Sequence, residues 1–195
     1  MYMRMSARDI SLVAMFAALA AVAATMSRFF TMVIPYSQIP FSLVPMVVLL
    51  AGMLLGARLG ALSMTVYMLM GLLGLPVFEN APFGGMAYFL KPSFGFLPGF
   101  ILGAYVTGKL APPKGDAGPG RALAASLAGV AAIYAVGLPY LYLALNYLMG
   151  KSSTVFAVLK IGFIPFIIPD LIKAVLVSFL APALGRRMKK GEAGE

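Results

Sequence analysis

The sequence contains no cysteine and no histidine, and only six of its 195 residues are acidic. Without cysteine there is no disulfide framework and no thiol chemistry. Without histidine the chain lacks the usual general base, proton shuttle and metal ligand, so an ordinary catalytic triad would have no base. These absences argue against an enzyme, and no cofactor is expected.

What the sequence has in excess is apolar residues. They make up 62% of the chain, and charged residues only 11%, whereas a typical soluble domain has about 45–50% and about 25%. One soluble domain of this size could not hide so much apolar surface. The composition therefore predicts an all-α integral membrane protein.

A transmembrane helix needs roughly 20 mostly apolar residues. Six segments qualify, and we predict a single membrane domain with spans at about 10–27, 39–55, 59–75, 94–110, 122–149 and 154–184. The last two are long enough to tilt, or to kink at Pro139, Pro165 or Pro169. The first span has arginines before it, as a signal peptide does, but its apolar run is long for one, so we expect no cleavage.

Basic residues in short loops favour the cytoplasm. With the N-terminus inside, the cytoplasmic side holds ten of them: Arg4, Arg8, Arg58, Lys109, Lys114, Arg121, Arg186, Arg187, Lys189 and Lys190. The outer side holds three: Arg28, Lys91 and Lys151. This asymmetry predicts that both termini are cytoplasmic. Residues 111–120, rich in Pro and Gly, then form a cytoplasmic loop, and the basic tail 185–195 contacts anionic membrane lipid rather than nucleic acid.

Small residues at four-residue spacing let helix backbones approach closely in lipid. Three such series occur: Gly52, Gly56 and Gly60; Gly95, Gly99 and Gly103; and, on the first span, Ala14 with Ala18 and Ala17 with Ala21. We interpret the glycines as internal packing faces and leave the alanines open. The stretch "GAYVTGKL" (103–110) nearly matches a phosphate-binding loop, but it lacks the Mg²⁺-binding hydroxyl and a preceding strand, so we interpret it as the end of a span.

The most informative stretch is "IIPDLIKAVLVSFL" (167–180), where Asp170 and Lys173 interrupt an apolar run. Three positions apart on a helix, they share one face and can pair. An unpaired charge near the middle of a bilayer costs about 2.5–3.5 kcal/mol on insertion scales. A salt bridge that fixes helix register is the structural alternative, but we interpret the pair as a functional site. Pro169 is expected to loosen the helix beside it.

Two other regions supply groups for an outward-facing pocket. The long outer loop at 74–96 is rich in Gly, Pro and aromatics and could close over a cavity, with Asn80, Tyr88 and Lys91 as contacts. An ordinary aromatic belt at the membrane interface is the alternative for its rings. The fifth span adds Tyr140 and Asn146 in its outer half. Together with Asp170 and Lys173, these residues describe a binding pocket for a small molecule with polar and apolar parts.

Four stretches resemble the BioY family, the biotin-binding S-components of energy-coupling factor (ECF) transporters. They are "LLGARLGALSMTVYMLMGLLGLPVF" (54–78), "GGMAYFLKPSFGFLPGFILGAYV" (84–106), "GLPYLYLALNY" (137–147) and "IPDLIKAVL" (168–176). The resemblance implies a six-helix bundle of the ECF S-component type that binds biotin at the outer face. It implies that Asp170 accepts from the ureido N–H groups and that Lys173 donates to the ureido oxygen. The family's usual loop motifs differ here, reading "FENAPFGG" and "KPSFG", so Asn80 and Lys91 are assigned to the ligand by position, with Lys91 on the valerate carboxylate.

The resemblance also implies partners. Ala14 and Ala18 match the family's docking face for a membrane coupling subunit, and two cytoplasmic ATPases would drive uptake, because this chain has no nucleotide site of its own. We expect a multi-pass protein of a prokaryotic cell membrane. The alternatives are an S-component for another vitamin, an ion-coupled secondary carrier that uses Asp170 as a relay, and an intramembrane enzyme.

Overall fold

The computed structural model describes residues 5–33, 42–112 and 118–192. Within these ranges the chain is helical, without strands. The seven α-helices are α1 (Ala7–Val33), α2 (Val44–Leu55), α3 (Ala57–Leu72), α4 (Phe96–Leu110), α5 (Pro119–Leu143), α6 (Val155–Gly162) and α7 (Ile164–Glu192). Two short 3₁₀ helices, Met86–Leu90 and Pro92–Gly95, lie between α3 and α4, and a π-helical turn at Ala144–Leu148 ends α5.

The sixth predicted span contains two helices rather than one. The break falls at Phe163, whose φ and ψ of −124° and −58° lie outside the helical region. Pro165 has no N–H to continue the hydrogen bonds of α6 and its ring would clash with the carbonyl of Ile161, whereas it suits the first turn of a new helix. The expected loosening beside Pro169 is wrong, because α7 runs through that residue.

Helix α2 lies at the centre of the bundle, where it contacts α1, α3, α4, α5 and α7. It is joined to α3 by Gly56 alone, whose φ of +83° is a conformation that side chains rarely tolerate. This one-residue turn makes α2 and α3 a tight hairpin. Helix α5 packs against both α4 and α7 and so links these two neighbours of α2.

The predicted glycine faces are confirmed as packing contacts except at Gly56, which forms the turn and where a methyl group would meet nothing within 4 Å. A methyl group at Gly52 would overlap the backbone oxygen of Ala104 on α4, and one at Gly60 would overlap Gly52 itself. On α4, Gly99 and Gly103 lie against Ile133 of α5. Residues 103–110 belong to the continuous helix α4, as expected for the end of a span.

Three helices within the described ranges are long and apolar enough to cross a membrane: Ala7–Phe29, Pro119–Leu148 and Ile164–Arg186. Their outward faces carry exposed side chains such as Leu19 on α1 and Phe179 on α7. Contiguous apolar surface of this kind suits lipid rather than water, in keeping with a multi-pass membrane protein.

Some sequence predictions lie outside the described residues. These are residues 39–41 of the second span, residues 113–117 of the predicted loop, Arg4, and the last residues of the tail, 193–195. The side chains of residues 187–192 also lie outside the description.

The close approach at Gly52 can be tested by adding one methyl group. We expect Gly52→Ala to lower the free energy of unfolding by about 1–3 kcal/mol, because overpacking forces the backbones of α2 and α4 apart. Gly120→Ala is the matched control, because Gly120 is also helical and meets nothing within 4 Å. The measurement is thermal unfolding in detergent, and equal melting temperatures for the two variants would contradict the packing argument.

Candidate substrate-binding site

A cavity of about 130 Å³ lies beneath the loop between α3 and α4, at one end of the bundle. Its described lining consists of Ser42, Val44, Pro45, Tyr67, Phe78, Glu79, Asn80, Tyr88, Ser93, Phe96, Leu97, Phe100, Ile133, Tyr134, Phe166 and Asp170. Most of these side chains are aromatic or aliphatic, and a few polar groups converge among them. Such a lining suits a small molecule with an apolar body and a polar head.

The central polar group is the buried Asp170 carboxylate. Its Oδ1 is 2.6 Å from Lys173 Nζ, and its Oδ2 accepts a hydrogen bond of 2.6 Å from the Tyr134 hydroxyl on α5. Asp170 is 6% exposed and Lys173 3%. A carboxylate offers about four acceptor positions, so these bonds leave Asp170 able to accept from a molecule in the cavity.

The periodicity of α7 places this pair inside the bundle. Asp170, Ala174, Val177 and Ala181 follow one another at spacings of three and four residues, and all are buried. The residues between them, such as Ile172 and Phe179, are exposed and apolar. The pair therefore faces the interior beside an open space, not lipid.

The loop from residue 73 to residue 95 covers the cavity. The Phe78 ring lies directly on Gly71 of α3, where any side chain would overlap it. Its centroid is 5.8 Å from the Tyr67 ring and 4.4 Å from the Tyr88 ring. The Tyr67 hydroxyl donates to the carbonyl oxygen of Val77 at 3.1 Å. The predicted lid is thus fixed by ring packing and by hydrogen bonds to α3.

Glu79 follows Phe78 and brings a second carboxyl group to the cavity. Its Oε1 atom is buried and has no hydrogen-bond partner among the described residues. Burial raises the pKa of this carboxyl above its ordinary value, while the hydroxyls of Ser42 and Ser27 and the Lys173 ammonium lower it less strongly. Burial likewise raises the pKa of Tyr88, so that phenol keeps its proton.

The structure brings together four of the seven residues predicted for the ligand. Asp170, Asn80 and Tyr88 line the cavity. Lys173 pairs with Asp170 but is not among the lining residues.

The other three residues lie elsewhere. Lys91 is exposed and outside the lining. The Tyr140 hydroxyl donates to the backbone oxygen of Phe89. The Asn146 amide donates to the backbone oxygens of Tyr142 and Ser153, at 2.9 and 3.1 Å, and so ties the end of α5 to the segment before α6. A position in the outer half of span five does not by itself bring Tyr140 or Asn146 to the cavity lining.

Sequence reasoning missed Tyr134, Tyr67 and Glu79. Tyr134 was detectable as a phenol within an apolar span, and Glu79 as the one acidic residue of the outer loop. The apolar walls Phe96, Phe100, Ile133 and Phe166 carried no such signal, because every span is rich in residues of their kind.

The two alanines predicted for partner docking are exposed on α1, whereas Ala17, Ala20 and Ala24 are buried against the bundle. The α1 contacts to α2 and α3 use the buried side. Ala14 and Ala18 therefore lie on the outward side of α1, next to larger exposed side chains such as Met15 and Leu19.

The ion pair predicts an asymmetry in stability. Lys173→Met alone should lower the free energy of unfolding by about 3–5 kcal/mol, because it leaves a buried carboxylate without its cation. The double variant Asp170→Asn/Lys173→Met should recover most of this loss. Thermal unfolding in detergent measures both, and a double variant no more stable than Lys173→Met would contradict a direct charge interaction.

The sequence and the fold are similar to those of known proteins. The family model described as "BioY family" matches residues 1–190. A protein of Lysinibacillus sphaericus named "Probable biotin transporter BioY" is 38% identical over 193 residues, covering 99% of this chain and 94% of that protein. The "Biotin transporter BioY" of Thermotoga maritima is 38% identical over 159 residues, covering 82% and 86%.

A crystal structure of "the S-component for biotin from an ECF-type ABC transporter" shares the fold, with a TM-score of 0.68 and 23% identity over 94% of this chain and 95% of that one. With the family model and both relatives aligned along most of its length, the chain belongs to the BioY family.

Proposed function

We propose that this chain is the biotin-binding S-component of an ECF-type ABC transporter, which captures biotin at the outer face of the cell membrane for uptake. The observation that carries the proposal is the covered cavity, where a buried carboxylate meets aromatic walls, in a chain whose relatives are named biotin transporters. The chain is a transporter subunit and not an enzyme.

The chemistry of biotin suits this cavity. Its ureido ring has two N–H donors and one carbonyl acceptor, and its fused sulfur ring is apolar. Asp170 accepts from a ureido N–H, while the bonds from Lys173 and Tyr134 hold the carboxylate in a fixed orientation. The rings of Phe78, Tyr88 and their neighbours pack on the apolar bicycle. Fixed partners on both carboxylate oxygens pre-organise the acceptor, so little ordering cost remains at binding.

The valerate tail lies toward the mouth of the cavity. No Lys or Arg is among the described lining residues, so the tail carboxylate stays with water or with groups at the rim. Asn80, exposed on the lid, is the lining residue best placed to contact it. Lys91 is not retained in the site, because its side chain is exposed outside the lining.

Transport driven by ATP requires partners that bind the nucleotide. In this chain the stretch nearest to a nucleotide motif, Gly103–Leu110, is part of helix α4 and packs against the start of α3 at Gly108. The proposed partners are a membrane coupling subunit, docked at Ala14 and Ala18, and two cytoplasmic ATPases. The excess of basic residues on one side of the bundle supports cytoplasmic termini.

The most direct test is mass spectrometry of the small molecule that co-purifies with the detergent-solubilised protein. Biotin is the expected result. If a different vitamin is found, the proposed substrate changes, but the assignment as an S-component stands. Uptake by the lone chain in liposomes, driven by a pH gradient, would instead indicate a secondary carrier that uses Asp170.

Binding measurements test the site residues. Asp170→Asn, Lys173→Met and Tyr134→Phe should each weaken biotin binding about 10-fold or more, because a charge-assisted hydrogen bond in a buried site is worth roughly 1.5–3 kcal/mol. Lys91→Met should stay within about 2-fold of wild type. Titration calorimetry gives the constants. Unchanged binding in the first three variants would remove the proposed polar site, and a 10-fold loss in Lys91→Met would restore that residue to it.

Docking of the coupling subunit can be tested by placing a bulky side chain on the exposed side of α1. Ala14→Trp or Ala18→Trp should prevent co-purification with the coupling subunit and leave biotin binding unchanged, because both side chains point away from the bundle. Ala131→Trp is the matched control, an exposed alanine on α5. A complex that forms normally with tryptophan at either α1 position would show that docking occurs elsewhere.

A further inference from the structure

The function proposed above leaves Glu79 unused. The backbone around it is fixed: the Phe78 N–H donates to the backbone oxygen of Phe83 at 2.8 Å, and Tyr67 holds the carbonyl of Val77. The side chain is therefore presented to the cavity from the lid. The hydroxyls of Ser42 and Ser27 bond to this carboxyl group, but its buried Oε1 has no partner among the described residues and is open to a hydrogen bond from a molecule in the cavity. Such an atom is costly to leave unpaired once water has been expelled.

Charged and titratable groups face Glu79 from several elements. Glu79 interacts electrostatically with Asp170 and Lys173 of α7. It interacts in the same way with Tyr67 of α3 and Tyr88 of the lid. Tyr134 of α5 is bonded to Asp170, and Arg28 of α1 lies 4.5 Å from the centre of the Phe83 ring.

The charges of Asp170 and Lys173 offset one another, so the ionisation of Glu79 decides the net charge at the head of the cavity. Ionised, Glu79 gives this group of three residues a net negative charge. Such a site opposes a ligand that carries a carboxylate, because charges interact strongly where water is excluded. Protonated, Glu79 leaves the site neutral.

Several hydroxyl donors of the described lining are already engaged, although the Ser42 hydroxyl and the Asn80 amide are further donors there. Among the described lining residues, the Tyr134 and Tyr67 hydroxyls already donate to Asp170 and Val77. Those of Tyr88 and Ser93 bond to each other at 3.2 Å. A protonated carboxyl supplies the O–H that an ionised one lacks. Burial raises the pKa of Glu79, against smaller opposing effects of the Ser42 and Ser27 hydroxyls and the Lys173 ammonium, and so favours the form that carries this proton.

We propose that Glu79 is a ligand-contacting residue that is protonated in the bound complex, where its O–H donates to biotin, so that affinity falls as pH rises. The inference rests on the proposed function and adds a residue and a proton to it. At low pH the free protein already holds the proton, and binding is at its strongest. Once the pH exceeds the pKa of Glu79 in the free protein, each binding event must take up one proton, and Kd rises toward 10-fold per pH unit.

The test is biotin titration of the detergent-solubilised full chain between pH 5.5 and 8.5, in wild type, Glu79→Gln and Glu79→Ala. Wild type should lose at least 10-fold in affinity across this range, where the carboxyl of biotin itself does not titrate. Glu79→Gln keeps a donor in its amide but cannot titrate, so it should bind within about 3-fold of wild type at pH 5.5 and show a flat profile. Glu79→Ala should bind about 10-fold more weakly at pH 5.5, also with a flat profile.

Calorimetry in buffers of different ionisation enthalpy gives a second readout. At pH 8.5 the wild type should take up close to one proton per biotin bound, and Glu79→Gln none. Equal melting temperatures of the ligand-free proteins establish that the variants are folded.

Several results would overturn the proposal: a flat wild-type profile with tight binding, affinity that increases with pH, the same slope in Glu79→Gln as in wild type, or loss of binding in folded Glu79→Gln. Wild-type protein that binds no biotin at any pH would refute the proposed function instead, so the two failures are distinguishable.

Discussion

The binding site depends on burying one carboxyl group in a fixed orientation inside an apolar bundle. Asp170 achieves this through Lys173 on its own helix and Tyr134 on the neighbouring one. The same atoms that offset the cost of burying the charge also fix the direction in which the carboxylate accepts. Charge compensation and ligand recognition are therefore one arrangement, and the geometry of α5 against α7 is the condition for both.

That geometry depends in turn on backbones that approach closely. Glycines at the α2–α4 and α4–α5 contacts bring the central helices together without intervening side chains, as helix association in lipid requires. At the lid end the packing changes to aromatic rings, which leave space between them. The chain thus combines a tight helical body with a looser, ring-lined chamber, and Phe78 against Gly71 marks where one gives way to the other.

Much of this could be predicted from the sequence. Composition and apolar runs gave the membrane class, and the pair in "IIPDLIKAVL" identified the centre of the polar site, because charges are so unfavourable in lipid that their presence is informative. The break at Phe163 was not foreseen, since periodicity continues across it and only Pro165 marked a possible kink.

The remaining site residues show why sequence reasoning reaches a limit. The sequence placed Lys91 in the outer loop, and Tyr140 and Asn146 in the outer half of the fifth span. Which partner each side chain meets depends instead on the side of the helix that carries it and on the path of the loop. The Asn146 amide donates to the backbone of the segment that connects α5 to α6, and the Tyr140 hydroxyl donates to the backbone of the lid. The apolar walls could not be separated from lipid-facing residues, because in a membrane protein both surfaces have the same composition.

Gly71 has a consequence for how a captured molecule could leave. One turn of α3 carries the Phe78 ring and also accepts, through the Gly71 carbonyl, the Gly85 N–H from the far side of the loop at 2.7 Å. Both limbs of the cover are thereby fastened to a single helix. The loop is also held to α5 by the Tyr140 hydroxyl, which donates to the backbone oxygen of Phe89, so a cover that stays folded on α3 can open toward α5 only if that bond breaks.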